Sequence, residues 1–218
     1  MTASGWALIL VFVAILVALA KPMGLWLFAL YEGRSTPLHR LLGPVERGFY
    51  RLAGIDPAEE QGWRRYALHM LLFNLALLLF TYAVLRLQGV LPGNPQGFGA
   101  VGADGAFNTA VSFTTNTNWQ WYAGETTLSN LSQMLGLTIH NFLSAATGIA
   151  IAFALFRGFA RREAKTLGNF WADMTRVTLY LLLPICVVYA LFLIASGVPQ
   201  TLAGSVDATT LEGIKQTI

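Results

Sequence analysis

Charge is scarce in this sequence: Asp, Glu, Lys and Arg make up 11% of its 218 residues, against roughly 25% in soluble domains. Because 55% of the residues are hydrophobic, a soluble domain of this length has too much surface per volume to hide them. Together these figures exclude the soluble globular class and point to a membrane protein. Cysteine is nearly absent. Cys186 is the single one; it sits in an apolar run, which excludes an intrachain disulfide framework and leaves it a small lipid- or core-facing residue. A third absence is regional, because residues 88–130 contain no Lys or Arg, only Asp104 and Glu125. No P-loop and no phosphorylatable Asp motif occurs, so nothing argues for ATP hydrolysis by this chain.

What is there is organised in long apolar runs. A helix needs about 20 apolar residues to cross a bilayer, and residues 5–20, 67–87, 131–156 and 177–198 qualify or nearly do. The first run could also be a signal peptide, since Ala18-Leu19-Ala20 offers a small-residue cleavage pattern. The segment before it carries no Lys or Arg, which favours an anchor crossing inward from outside. Basic residues then collect in two loops. One holds Lys21, Arg34, Arg40, Arg47, Arg51, Arg64 and Arg65; the other holds Arg157, Arg161, Arg162 and Lys165. The excess of positive charge predicts that both loops are cytoplasmic and that the neutral loop 88–130 is outside, as are both termini. In the first basic loop, Leu41, Leu42, Val45, Phe49 and Leu52 recur at helical spacing among arginines, predicting a short amphipathic helix in the interface.

The neutral loop carries the chemistry. Its first part, residues 88–105, is rich in Gly and Pro and predicts turns. Residues 106–113, AFNTAVSF, are apolar enough to enter a membrane but too short to cross it, which predicts a re-entrant half-helix. Residues 114–120, TTNTNWQ, follow without a charge but with many hydroxyls and amides. Irregular backbone at membrane depth is tolerated only inside protein or along a water-filled cavity. A half-helix aims its negative C-terminal dipole end at such a place, and the residues after it can offer carbonyls to a dehydrated cation. Trp119, Trp121 and Tyr122 suit an aromatic cuff around the segment. The alternative is a polar outer loop, with Asn130-Leu131-Ser132 as a coincidental glycosylation-like triplet.

Residues 108–161, NTAVSFTTNTNWQWYAGETTLSNLSQMLGLTIHNFLSAATGIAIAFALFRGFAR, closely resemble the first pore loop and following helix of the KdpA family. Weaker agreement covers Lys21-Pro22-Met23-Gly24, Gly43-Pro44-Val45-Glu46 and Leu91-Pro92-Gly93-Asn94-Pro95, so the resemblance extends over essentially the whole chain. That resemblance implies an all-α integral membrane fold of potassium-channel-like type. It would consist of an extra N-terminal helix (1–20), a cytoplasmic loop with an interfacial helix (21–66) and a complete helix–pore-loop–helix repeat (67–157). A second cytoplasmic loop (158–176), the first helix of a second repeat (177–198) and an outer segment (199–218) follow. It also implies that Thr115, Asn116, Thr117 and Asn118 form one quarter of a potassium selectivity filter, with Gln120 tuning affinity behind it. The implied role is a non-hydrolytic potassium-translocating subunit in a bacterial inner membrane. Potassium would be its transported ion, with no organic cofactor. Implied partners are KdpB-like (ATPase), KdpC-like and KdpF-like subunits and membrane lipid, and no nucleic acid. The family's other three filter loops have no counterpart before Ile218, so the expectation is a fragment or truncated frame rather than a four-copy assembly.

Two other readings compete. A Trk-like channel subunit would share the pore-loop architecture. An intramembrane metalloenzyme would use His69 and His140, which fall on apolar runs, where ionisable groups are functional candidates; against it, the sequence has no His-Glu-x-x-His spacing and no Asp or Glu inside the expected spans. The plainer expectation for both histidines is a hydrogen-bonded imidazole inside the bundle. Asp173 and Arg176 are expected to be a solvated pair, Ser144, Ala145, Ala146, Thr147 and Gly148 to permit close helix packing, and Glu125 to draw cations toward the loop or to be a plain surface charge.

Overall fold

The computed structural model describes residues 2–160 and 165–217; the expected loop cations Arg161 and Arg162 lie outside them. Apolar composition makes helices here because a membrane core leaves no water for unpaired backbone groups. Among the described residues, four helices are long and apolar enough to cross a bilayer: Ala3–Tyr31, Trp63–Leu87, Ser132–Ala160 and Phe170–Ala195. The first, α1 (Ala3–Tyr31), runs eleven residues past the expected end at residue 20, straight through Lys21 and Pro22. Proline removes one hydrogen bond but does not stop a helix whose surroundings are apolar. Most of α1 is exposed, and only its last turns dock, through buried Leu30 and a hydrogen bond from Trp26 Nε1 to the Tyr180 carbonyl (3.0 Å).

The amphipathic segment forms α2 (His39–Ala53), ended by Gly54 at φ 65°. Leu41, Val45 and Leu52 remain exposed on it, whereas Glu46 on its other face is buried. Next come α3 (Trp63–Leu87), the half-helix α4 (Ala103–Thr114) and a single turn, α5 (Gly124–Thr127). A π-helical stretch, Ser132–Thr138, leads into α6 (Ile139–Ala160). The last span starts earlier than residue 177: α7 (Phe170–Val177) continues through a π-helical stretch, Thr178–Leu182, into α8 (Leu183–Ala195). The signal for that early start is Asn169, whose side chain caps the helix by accepting from the N–H groups of Trp171 and Ala172. A short antiparallel hairpin, β1 (Asp207–Thr209) with β2 (Lys215–Thr217), closes the described chain.

The helices alternate in direction, which gives the bundle two ends. At the basic end α1 finishes, α3 begins, α6 finishes and α7 begins. Here Tyr66, Phe153, Phe170, Met174, Val177 and Tyr180 form a buried cluster. Ala146, Ala150 and Ala154, four residues apart on α6, are all buried in it, so small side chains let the helices approach closely. At the loop end Leu85, Val101, Ala106, Phe113, Leu128 and Leu137 form a second cluster. The segment after α8 returns to this end: Asn130 Nδ2 donates to the Leu202 carbonyl (2.8 Å) and Gln96 Nε2 to Ser205 Oγ (2.8 Å).

Ion pairs at the basic end depart from expectation. Asp173 is not solvated and does not pair with Arg176. Its carboxylate takes a bidentate contact from Arg157, at 2.5 and 2.8 Å, with the two side chains 1% and 4% exposed. The reason is the early start of α7, which also puts one carboxylate inside a span where none was expected. Arg157 is therefore not a free loop charge; it donates as well to the carbonyls of Tyr31 (2.8 Å) and Leu167 (2.9 Å). Gly168 stands at φ 98°, and a Cβ there would lie 2.3 Å from the Arg157 guanidinium. Arg176 instead pairs with Glu46 of α2 (3.5 Å), which also accepts from Tyr50 (2.9 Å) and Tyr180 (2.5 Å). Burial, and next the Glu46 carboxylate, push the Tyr50 hydroxyl far above its ordinary range, so it stays a donor.

Candidate functional site

The half-helix α4 forms because Ala103 to Thr114 lacks Gly and Pro apart from Gly105 and carries Asp104 in its first turn, where a carboxylate complements the helix dipole. Ala106, Thr109, Ala110 and Phe113 are buried along one face at helical spacing, and that face packs on α3 through Leu85. Gly105 is required by a close approach: a Cβ there would sit 2.1 Å from Cζ2 of Trp121. Trp121 in turn meets Tyr122 edge-on, with ring centroids 6.0 Å apart. Burial pushes the Tyr122 hydroxyl up to about 12, so this aromatic wall carries no charge at neutral pH.

How α4 ends decides what the next residues present. Asn116 takes the left-handed conformation at φ 57°, and Asn118 does so again at φ 56°. Asparagine is among the few residues that adopt it without large cost. The N–H of Thr117 then reaches the Ser112 carbonyl (2.9 Å) and that of Asn116 reaches the Phe113 carbonyl (3.2 Å), the paired bonds of a Schellman cap with Asn in glycine's usual place. Thr115 N–H donates to Val111 (3.0 Å) and Asn118 N–H to Ser112 (3.2 Å). Ser112 Oγ also donates, to the carbonyl of Trp119 (3.0 Å).

Every N–H from Thr115 to Asn118 is thus folded back onto the last carbonyls of α4. Among the described residues, the carbonyls of Thr115, Asn116, Thr117 and Asn118 accept no hydrogen bond. All four residues are exposed. The turn therefore presents oxygens and no donors from its main chain, at the negative end of a helix dipole. Its side chains brace one another, Thr115 Oγ1 lying 3.0 Å from Thr117 Oγ1 and Asn118 Nδ2 donating to Asn116 Oδ1 at 3.4 Å.

Of the residues singled out by the sequence, Thr115, Asn116, Thr117 and Asn118 come together in this one turn. Gln120 does not join it: the side chain is exposed beyond Trp119, and among the described residues it makes no hydrogen bond to the turn. Glu125 is exposed on α5, with no carboxylate contact to the turn among the described residues. His69 stands at the basic end, 5.8 Å from the Trp171 ring, far from His140 on the loop side, and no group of three metal-ligating side chains occurs among the described residues. The contact of Ser112 with the Trp119 carbonyl and the left-handed corner at Asn116 were not expected from the sequence. The repeated Asn in TNTN, directly after a helix end, was the available signal for two left-handed residues.

Residues 10–218 match the family described as "KdpA: Potassium-transporting ATPase A subunit". A protein of Mesorhizobium japonicum named potassium-transporting ATPase potassium-binding subunit is 59% identical over 218 residues, all of this chain and 38% of that protein. Proteins with the same name from Granulibacter bethesdensis and Rhodopseudomonas palustris are 58% and 60% identical over the same lengths. The chain spans 38% of the length of each of these relatives.

Proposed function

The chain belongs to the KdpA family of potassium-transporting ATPase A subunits, and from that premise we propose that the turn Thr115, Asn116, Thr117 and Asn118 binds potassium during uptake. One observation carries this reading: the turn's N–H groups are tied inward, while among the described residues its carbonyls accept no hydrogen bond. Potassium selectivity needs carbonyl dipoles that replace the ion's water without gripping it so tightly that it cannot leave. An uncharged turn at the C-terminal end of a helix supplies that field. One turn offers oxygens from one side, so it acts as one member of a ring completed by other segments. Gln120 adjusts affinity from behind the turn. The relatives' printed name, potassium-binding subunit, supports the same ion.

The chain is then a non-hydrolytic membrane subunit that hands potassium to an ATP-hydrolysing KdpB-like partner, beside KdpC-like and KdpF-like subunits, in a bacterial inner membrane. Exposed Arg34, Arg40, Arg47, Arg51, Arg64 and Arg65 gather toward one end of the bundle; they support a cytoplasmic basic end and an outside N-terminus. The test is potassium uptake by the full-length subunit in its assembled complex. Replacing Asn118 or Gln120 with Ala raises the apparent KM for potassium or lowers discrimination against rubidium. Kinetics unchanged by both substitutions would sink the filter assignment, and uptake that persists without ATP would instead favour a passive Trk-like subunit.

A further inference from the structure

His140 is fully buried, at 0% exposed, and each of its ring nitrogens meets a different element. Nδ1 lies 2.7 Å from Thr81 Oγ1 on α3 and 3.2 Å from the Gly136 carbonyl in the π-helical stretch. Nε2 lies 3.1 Å from Oγ1 of Thr114, the last residue of α4. One turn further along α6, the Ser144 hydroxyl donates to Asn116 Oδ1 at 3.1 Å. Residues four apart stand one above the other on a helix, so both contacts come from one face of α6.

We propose that His140 and Ser144 form a two-point clamp that positions the potassium-binding turn, with His140 holding its root at Thr114 and Ser144 holding its left-handed corner at Asn116. The proposal rests on the reading of that turn as a potassium site. The hydrogen-bond chemistry assigns the ring's roles. The Thr81 hydroxyl gives its proton to the Gly136 carbonyl (3.2 Å), which can only accept, so in a neutral imidazole Nδ1 carries the proton toward Thr81 Oγ1 and Gly136, and Nε2 offers its lone pair to Thr114. The Thr114 hydroxyl has one proton and two takers, His140 Nε2 and the Ala110 carbonyl at 2.7 Å. The imidazole therefore competes with α4 for that proton and ties the helix end to α6. The groups facing His140 from α3, α4 and the π-helical stretch, namely Thr81, Thr114 and Gly136, are all neutral. The clamp thus fixes the turn without placing a charge beside the ion.

Two amide replacements separate the ring's two jobs, because the Asn amide nitrogen reaches the place of Nδ1 and donates as it does, while the Gln amide reaches the place of Nε2, where its oxygen accepts from Thr114 as that nitrogen does. In the full-length, assembled transporter, His140→Asn keeps the anchor on Thr81 and Gly136 and releases Thr114. The expected result is an apparent KM for potassium raised roughly tenfold, the size of one lost hydrogen bond, with kcat little changed. His140→Gln keeps the reach to Thr114 and restores KM to within about threefold of the parent. Ser144→Ala raises KM in the same direction, and it carries the test alone if the His140 variants fail to assemble. Equal KM values for His140→Asn and His140→Gln, or an unchanged KM in Ser144→Ala, would overturn the clamp. Asn118→Ala run beside them separates the two failures. If Asn118→Ala raises KM and the clamp variants do not, only the clamp falls; if Asn118→Ala is also silent, the potassium site falls and the clamp with it.

Discussion

At the loop end, His140, Thr81, Thr114, Asn116 and Ser144 are joined by hydrogen bonds between neutral groups. Seventeen residues along the same helix, or roughly 25 Å at the α-helical rise, Arg157 and Asp173 are joined by a bidentate ion pair with Tyr66 donating to the same carboxylate (3.0 Å). The basic knot is buried throughout, whereas the loop-end knot is buried at His140 and Thr81 and opens at exposed Asn116; both bind α3 to α6. They differ in what they tolerate nearby. A fixed carboxylate beside a passing cation would hold it too strongly for release, whereas hydroxyls and amides position backbone oxygens without adding net charge. At the basic end the charged pair and its hydrogen bonds tie α1, α3, α6 and α7 together.

The largest effect is expected where that charge is unbalanced. Asp173→Ala leaves the Arg157 guanidinium buried and unpaired, which costs about 3–5 kcal/mol. The double replacement Arg157→Leu with Asp173→Leu removes both charges and recovers much of that loss. Thermal unfolding of the purified full-length protein checks it. A double variant as unstable as the single would mean that the hydrogen bonds to Tyr31 and Leu167, rather than the charge balance, hold this end together.

A smaller effect is expected at the neutral end, and on function more than on stability. Asn116 at φ 57° accepts Gly without backbone strain, while a β-branched residue there costs roughly 1–3 kcal/mol. Asn116→Val should therefore raise the apparent potassium KM well beyond Asn116→Gly, which loses only the bonds to the Asn116 side chain. Uptake kinetics of the two variants in the assembled complex decide the point; equal defects would assign the importance of Asn116 to its side chain alone.

The two ends were also unequally legible in the sequence. The run TTNTNWQ behind a short apolar stretch has local causes, a helix too short to span and residues that end it, so the half-helix and the turn could be anticipated from neighbours in the chain. What the sequence did not reveal is which carbonyls stay free, because that depends on Asn116 taking the left-handed cap. The clamp was hidden for another reason: His140 and Ser144 act on residues 26 and 28 positions away, and no periodicity within α6 announces a partner on α4. The basic end misled outright. Arg157 and Asp173 read as loop charges because hydropathy placed the last span's start at residue 177. The Asn169 cap, which starts the helix earlier, carries little weight in a hydropathy reading. The first span erred in the opposite direction: its apolar run was expected to end at residue 20, whereas α1 continues through Lys21 and Pro22 to Tyr31.

The smallest effect sharpens the contrast, because it concerns the same chemistry in a different place. Arg65 and Glu59 also form a close ion pair at the basic end, but their side chains are 56% and 37% exposed. Water and salt screen such a pair, and holding two long side chains in one geometry costs entropy, so exposed pairs contribute about 0–1 kcal/mol. Arg65→Ala should therefore shift the unfolding midpoint little, and less still in high salt, while Asp173→Ala unfolds much of the same helix end. If Arg65→Ala were as damaging as Asp173→Ala, Arg65 would have to be buried in the assembled protein against a neighbour, and the basic end would then be an interface rather than a solvated face.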